Sequence, residues 1–233
     1  MSGSGTATLG IDEAGRGPAL GPLVMAGVCL KPRRAAALTR AGVMDSKAFG
    51  AGDDAHAQRS YLAHKIHALA ESIIVRVVDV GEIDRRVRVH ELNALEREHA
   101  VEIIQRSAPA VRIIADGARL FGRLAERFPH LQAKDRAEEE HVAVAAASIV
   151  AKVRRDELFA CIRQRYEPEL GPIAGGGYDN AGTRKFLRAY IERYGCLPPE
   201  ARRSWNWDAL ASIFPAGYQP LADLPPTGQL GLF

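Results

Sequence analysis

The order of apolar segments along this chain constrains its fold more than any other feature. Two short segments of strand composition come first, Thr8 to Ile11 and Leu20 to Leu30. Strand-like composition returns in IIVRVVDV (residues 73–80) and in VRIIA (residues 111–115). Segments of helical periodicity separate the later strands and dominate the second half. Strands followed by helices predict a mixed α/β layer fold.

Four helices are predicted from the spacing of apolar residues. They cover about residues 56–72, 82–107, 139–166 and 183–194. The third is rich in alanine, and the glycine-rich loop GPIAGGGYDNAG separates it from the fourth, which is basic. The last twenty residues contain four of the prolines and few charges, so we expect residues 214–233 to form an extended tail after a folded domain of residues 1–213.

Composition excludes several classes of protein. With 233 residues, 47% of them hydrophobic and 25% charged, the chain is neither disordered nor fibrous. The cysteines Cys29, Cys161 and Cys196 are widely spaced, which favours a reducing compartment and opposes a structural zinc site. Neither a signal peptide nor a long apolar run is present, so we expect a cytoplasmic protein without a membrane partner. A net charge of +3 permits a polyanionic partner.

Four carboxylates are predicted to lie at the ends of strands or helices. Asp12 and Glu13 end the first strand, Asp116 follows VRIIA, and Glu138 begins the acidic run before the alanine-rich helix. Taken singly, each has an ordinary explanation. Asp12 and Glu13 fit a solvated acidic pair at a strand end, Asp116 fits a turn or a helix N-cap, and Glu138 fits a favourable charge at a helix N-terminus. Together they would bind hard divalent cations through oxygen, as two-metal phosphodiester hydrolysis requires.

The adjacent pair Asp12 and Glu13 imposes a geometric condition on such a site. Neighbouring residues on a strand point to opposite faces, so both carboxylates can address one site only if the strand ends or bulges there. Gly15 and Gly17 would supply that irregularity.

The string GIDEAGRGPALGPLV at residues 10–24 resembles the signature of ribonuclease HII. Further segments follow in the order of that family: DSK at 45–47, Asn93, Asp116 at a strand end, AAASIVAKVRRD at 145–156, GGGYDNAGTRKFL at 175–187 and RRSW at 202–205. The resemblance implies a ribonuclease H-like α/β fold, in which helices flank a central mixed five-stranded sheet and a helical C-terminal part follows. It implies an endonuclease that hydrolyses the RNA strand of RNA/DNA hybrids. It also implies incision 5′ of single ribonucleotides in duplex DNA, leaving 3′-hydroxyl and 5′-phosphate ends, as in ribonucleotide excision repair.

The resemblance also assigns roles to residues. Asp12, Glu13 and Asp116 match the metal-binding acids of the family, and Glu138 stands where most ribonuclease HII sequences have Asp, which is similar to ribonuclease HIII. Two Mg²⁺ or Mn²⁺ ions are the implied cofactors. Substrate contacts are implied for Gly15, Arg16, Gly17 and Tyr178, and the basic residues expected near the phosphates are Lys47, Lys152, Arg155, Arg184 and Lys185.

The C-terminal residues suggest a further partner. Gln229, Leu230, Leu232 and Phe233 resemble the short peptide by which bacterial replication and repair proteins bind the sliding clamp. Two alternatives remain open: a hybrid nuclease like ribonuclease HIII without junction specificity, and a non-catalytic hybrid-binding clamp adaptor. A monomer is the family's expectation.

Overall fold

A mixed five-stranded sheet forms the centre of the fold. The computed structural model describes residues 6–44, 49–50, 53–110, 112–205 and 207–220. The strands are β1 (Thr8–Ala14), β2 (Leu23–Leu30), β3 (Ser72–Val78), β4 (Arg112–Asp116) and β5 (Leu131–Lys134), in the order β3-β2-β1-β4-β5. β1 runs antiparallel to β2 and parallel to β4, and β4 runs parallel to β5. The predicted mixed sheet is confirmed.

Helices cover most of the remaining described chain. They are α1 (Pro32–Arg40), α2 (Asp53–Leu69), α3 (Val80–Arg88), α4 (Leu92–Arg106), α5 (Ala118–Phe121), α6 (Val142–Leu170) and α7 (Ala181–Tyr194). Within the described ranges, no helix is both long enough and apolar enough to cross a membrane.

Several elements differ from the sequence prediction, and α1 and α5 have no predicted counterpart. The helix predicted over residues 82–107 is two helices, α3 and α4, separated at His90, whose φ of 59° is left-handed. Glu138 lies in a 3₁₀ turn, Ala137–Glu139, and the alanine-rich helix begins only at Val142. β5 has no counterpart in the predicted pattern.

The described residues divide into two compact units. The sheet unit contains the residues up to 14 together with 24–76 and 93–154. The helical unit contains residues 15–23, 77–92 and those from 155 onward.

Glycines allow helices to lie close against both faces of the sheet unit. A Cβ added to Gly10 of β1 would lie 2.1 Å from the carbonyl carbon of Ala143 in α6. A Cβ added to Gly27 of β2 would lie 2.2 Å from Cγ2 of Ile103 in α4. Neither distance is sterically possible. At Gly10 the added Cβ would meet the backbone of α6, so this position requires glycine and α6 approaches β1 more closely than a larger residue would permit. At Gly27 the added Cβ would meet the side chain of Ile103, which would have to shift to make room.

The core of the helical unit is aromatic. The rings of Tyr166, Phe186 and Tyr190 pack with centroids 5.5–6.0 Å apart. Phe214 and Tyr218 pack on this core, and the Tyr218 hydroxyl accepts a hydrogen bond of 3.0 Å from the Leu197 amide. The folded part therefore extends past residue 213, where the tail was expected to begin. Residues 221–233, including the clamp-like peptide, lie outside the described residues.

Candidate active site

Two aspartates meet at the carboxyl ends of neighbouring parallel strands. The register of β1 and β4 pairs Ile11 with Ala115, so the next residues are Asp12 and Asp116. The Ala137 amide donates a hydrogen bond of 2.8 Å to Asp116 Oδ1, which links β4 to the 3₁₀ turn that contains Glu138. Asp12 and Glu138 are each only 6% exposed. Buried and half-buried acidic groups of the sheet unit thus lie at the carboxyl ends of β1 and β4 and in the 3₁₀ turn linked to β4.

Burial gives Asp12 an unusual proton affinity. Desolvation raises the pKa of its carboxyl to about 7, and the negative charge of Asp116 adds to the rise. A hydrogen bond from Ser148, one from the Glu13 amide, and the positive charge of Lys152 act in the opposite direction. Near neutral pH, Asp12 is therefore poised between its protonated and charged forms.

Helix α6 supplies the groups that stabilise the Asp12 carboxylate. Ser148 and Lys152 are four residues apart, so they lie on one face of the helix. The contact between Gly10 and the backbone at Ala143 lets α6 approach β1 closely enough for this. From the sequence, Lys152 is expected near the phosphates and Ser148 has no predicted role, although their spacing of four residues indicates a shared helix face.

The carboxylate oxygens at the carboxyl ends of β1 and β4 are suitable ligands for a hard divalent cation. A cation would offset the repulsion between Asp12 and Asp116, and carboxylate oxygens are the ligands that such ions prefer. Among the described residues, however, no three acidic, histidine or cysteine side chains lie close enough to hold an ion. β1 stays in regular register with β2 through Ala14, so the expected irregularity begins only after both carboxylates. Strand geometry alone therefore does not bring Glu13 to Asp12.

In the helical unit, the two glycines around Arg16 have different surroundings. Gly15 has a φ of +86°, and an added Cβ would lie 2.6 Å from Arg155 Cδ and 2.7 Å from the Pro22 carbonyl oxygen. Gly17 has no such constraint, because an added Cβ would meet only Tyr178 Cε1 at 3.6 Å. The fold therefore requires glycine at 15 and tolerates alanine at 17.

Arg155 and Tyr178 form a contact in the same unit. Arg155 is buried, its Nη2 donates a hydrogen bond of 2.5 Å to the Gly176 carbonyl, and its guanidinium lies 5.4 Å from the Tyr178 ring centroid. Tyr178 is 49% exposed, which leaves part of its ring accessible. Its predicted place near phosphates stays a prediction, and in the structure Arg155 supports the loop that carries Tyr178.

The remaining basic residues differ in how their charge is used. Arg184 makes two hydrogen bonds, of 2.6 and 2.9 Å, to the carboxylate of Asp179, whereas Lys185 is exposed. Arg16 is half-buried, and Lys47 lies outside the described residues.

A mixed sheet of this order, with acidic residues at the carboxyl ends of β1 and β4, defines a protein of the ribonuclease H-like fold. The chain matches the model of the family "Ribonuclease HII" over residues 9–207. It is 38% identical over 205 residues to ribonuclease HII of Methanothermobacter thermautotrophicus, covering 84% of this chain and 95% of the relative. The ribonuclease HII of Cenarchaeum symbiosum is 35% identical, covering 84% and 94%. This chain belongs to the ribonuclease HII family.

Solved structures agree with this assignment. The ribonuclease H2 of Pyrococcus horikoshii matches with a TM-score of 0.76 and 30% identity, covering 89% of this chain and 96% of the other. The ribonuclease HII of Archaeoglobus fulgidus, solved in complex with PCNA, matches with a TM-score of 0.72 and 30% identity, covering 88% and 96%. The manganese complex of a ribonuclease HIII, Bst-RNase HIII, at 23% identity and a TM-score of 0.63, shares the fold. The predicted ribonuclease H-like fold and enzyme class are confirmed.

Proposed function

We propose that this ribonuclease, beyond cleaving RNA/DNA hybrids as its family does, incises duplex DNA on the 5′ side of a single embedded ribonucleotide. Gly17 is the observation that carries the proposal. It is exposed, and no described residue demands glycine there, yet it lies beside the accessible ring of Tyr178. A residue without a side chain lets a sugar approach the backbone closely. The ribose 2′-hydroxyl, both donor and acceptor, is the group that separates RNA from DNA.

The catalytic groups proposed are Asp12, Glu13, Asp116 and Glu138. Their carboxylates would have to turn toward a common point to hold two Mg²⁺ or Mn²⁺ ions, and the ions would supply Lewis-acid activation of water and stabilisation of the leaving oxygen. To serve as a ligand, Asp12 must lose its proton. Ser148 and Lys152 favour that charged form and keep Asp12 usable near neutral pH despite its burial.

Tyr178 and the basic residues are proposed to place the duplex. The exposed part of the Tyr178 ring would pack against the deoxyribose that follows the ribonucleotide. Lys185 and Arg184 would contact phosphates, which orients the duplex and makes binding dependent on salt without reading sequence.

Three substrates test this function: a duplex with one ribonucleotide, the same duplex in DNA alone, and a continuous RNA/DNA hybrid. Each is incubated with Mg²⁺ and separately with Mn²⁺. We expect incision of the first and third, with 3′-hydroxyl and 5′-phosphate ends. Cleavage of the continuous hybrid alone would favour the alternative like ribonuclease HIII. No cleavage of either would favour the adaptor. A 2′,3′-cyclic phosphate would contradict metal-assisted hydrolysis, because the ribose would then be the nucleophile.

We also propose that residues 229–233 bind a sliding clamp. The terminal QLGLF sequence and the complex of the Archaeoglobus fulgidus relative with PCNA support this proposal. Leu232 and Phe233 would be apolar anchors, and Gln229 would hydrogen-bond at the pocket edge. Deleting 229–233 should abolish clamp binding by calorimetry and leave cleavage of a short duplex unchanged. Unchanged clamp binding would refute the proposal.

A further inference from the structure

Arg202 is the largest fully buried side chain among the described residues, at 1% exposure. Its guanidinium donates to three carbonyl oxygens of the segment 15–21. Nη1 donates to Arg16 at 2.8 Å, Nε to Gly21 at 3.0 Å, and Nη2 to Gly15. A buried cation thus contacts the backbone of the segment that contains the Gly-Arg-Gly sequence.

These bonds fix the direction of two peptide units. In a trans peptide the C=O and the following N–H point in opposite directions. Because the Gly15 and Arg16 carbonyls point toward Arg202, the amides of Arg16 and Gly17 point away from it. Arg202 is buried whereas Gly17 is exposed, so the amides are directed toward the accessible side. The cation also polarises both peptide units and strengthens their amides as donors.

Arg202 is itself held firmly. Its amide donates to the Ala19 carbonyl at 2.9 Å, and its guanidinium lies 5.1 Å from the Trp205 ring centroid. The following amides, of Arg203 and Ser204, donate to the carboxylate of Asp84 at 2.7 and 3.0 Å. Hydrogen bonds to Ala19 and Asp84 therefore hold the backbone on both sides of the Arg202 side chain in place.

We propose that Arg202 is a positioning residue for recognition of the ribose. It holds the Arg16 and Gly17 amides in the direction in which they donate to the 2′-hydroxyl oxygen of an embedded ribonucleotide. The proposal deepens the proposed function and rests on it. Lysine cannot replace arginine in this role, because one ammonium group lacks the planar fork that reaches three fixed acceptors.

The test compares Arg202→Lys with Arg203→Lys. Arg203 is a matched control because it is also buried and donates to the carbonyls of Leu197, Pro198 and Ala201, outside the segment 15–21. The readout is kcat/KM for the single-ribonucleotide duplex divided by kcat/KM for the continuous hybrid. Arg202→Lys should lower this ratio at least about tenfold, the effect of one lost hydrogen bond. Arg203→Lys should leave it within about twofold of wild type. Equal ratios in both variants would overturn the proposal.

A second measurement does not depend on catalysis or on the folding of a variant. Without divalent ions, the wild-type amide resonances of Arg16 and Gly17 are followed by NMR during titration with the ribonucleotide duplex and with its all-DNA counterpart. We expect both resonances to shift only with the ribonucleotide. Identical shifts with the two duplexes would refute the recognition role. If wild type shows the ribonucleotide-specific shift without incision, the proposed function fails, and recognition of the ribose by these two amides stands.

Discussion

The sheet unit and the helical unit use buried charge for different purposes. In the sheet unit, Asp12 is a carboxylate whose pKa is raised to about 7 by burial and by Asp116, and α6 supplies groups that oppose the rise. In the helical unit, Arg202 is a buried guanidinium whose partners are backbone carbonyls. The first arrangement adjusts the charge of a side chain, and the second fixes the direction of a backbone.

This difference separates two kinds of functional requirement. A site that must hold a cation needs negative charge that is costly to bury, so its residues cannot be neutralised without loss of function. A site that must recognise one hydroxyl group needs donors at fixed positions, and those donors can belong to the backbone. Substitutions in the sheet unit should therefore change the rate on every substrate, whereas substitutions in the helical unit should change the preference between substrates.

The largest effect is expected for the acidic pair. Asp12→Asn and Asp116→Asn each keep the size of the side chain and remove a charge from the proposed cation site, so cleavage of every substrate should fall by more than about 100-fold. Binding of the hybrid, measured by fluorescence anisotropy, should stay within a few-fold of wild type because phosphate contacts dominate it. Asp54→Asn, on the exposed surface of α2, is the control. Cleavage near the wild-type rate in both variants would remove these residues from the catalytic site.

The two glycines around Arg16 offer a sharper comparison within one segment. Gly15→Ala should destabilise the protein by more than about 1 kcal/mol, because its φ is +86° and Arg155 occupies the space of the new Cβ. Gly17→Ala should keep the wild-type melting temperature and lose incision of the single-ribonucleotide duplex about tenfold or more, because the new methyl group would obstruct the sugar. Differential scanning calorimetry and incision assays measure the two effects. Full incision by folded Gly17→Ala would exclude close approach of the sugar at this residue.

Part of the architecture could be predicted from the sequence, and the failures have physical causes. Strands β1, β2 and β4 are apolar and buried, so their patterns were recognisable. β5 contains only four residues, LQAK, of which Leu131 alone is fully buried, so it leaves almost no pattern. The break between α3 and α4 falls at His90, and one histidine within a helical pattern is too weak a signal to predict a left-handed residue.

At the candidate site, the local sequence pattern predicted the positions of the acidic residues, but it did not predict which side chains surround them. Asp12 and Asp116 followed from strand ends, whereas the role of Ser148 depends on the contact of α6 with Gly10, which is a tertiary feature. Arg155 was grouped with the basic residues expected near phosphates, and the alternative was a solvated helix face. In the structure its burial, its hydrogen bond to Gly176 and its contact with Tyr178 determine its role.

A more moderate change in preference is expected from Tyr178. Tyr178→Ala removes the exposed ring and should lower incision of the single-ribonucleotide duplex about tenfold, with a smaller loss on the continuous hybrid, where many 2′-hydroxyl groups identify the substrate. Tyr178→Phe keeps the ring and should retain most of the activity. Equal losses on both substrates for the alanine variant would show that Tyr178 serves packing and not recognition.

The smallest effect concerns stability in the absence of divalent ions. Asp12 ionises near its ordinary pKa of 3.8 in the unfolded chain and at about 7 in the folded protein. Between these values the folded state binds more protons, so wild-type stability should fall as pH rises from 4 to 7. Asp12→Asn should remove this component and melt more than about 3 °C above wild type at pH 8. Added Mg²⁺ should then stabilise wild type and not the variant. Parallel pH profiles of the two proteins would contradict the raised pKa.

The contact between Gly10 and α6 has a consequence for genetics. Position 10 carries no side chain and no chemistry, yet any replacement would push against the backbone at Ala143 and Val144. That displacement would carry Ser148 and Lys152 away from Asp12 and alter the balance of charge there. In a library of random variants, position 10 would therefore tolerate substitution as poorly as a catalytic position. Mapping such a library onto the chain would enlarge the apparent active site by a residue that never meets the substrate.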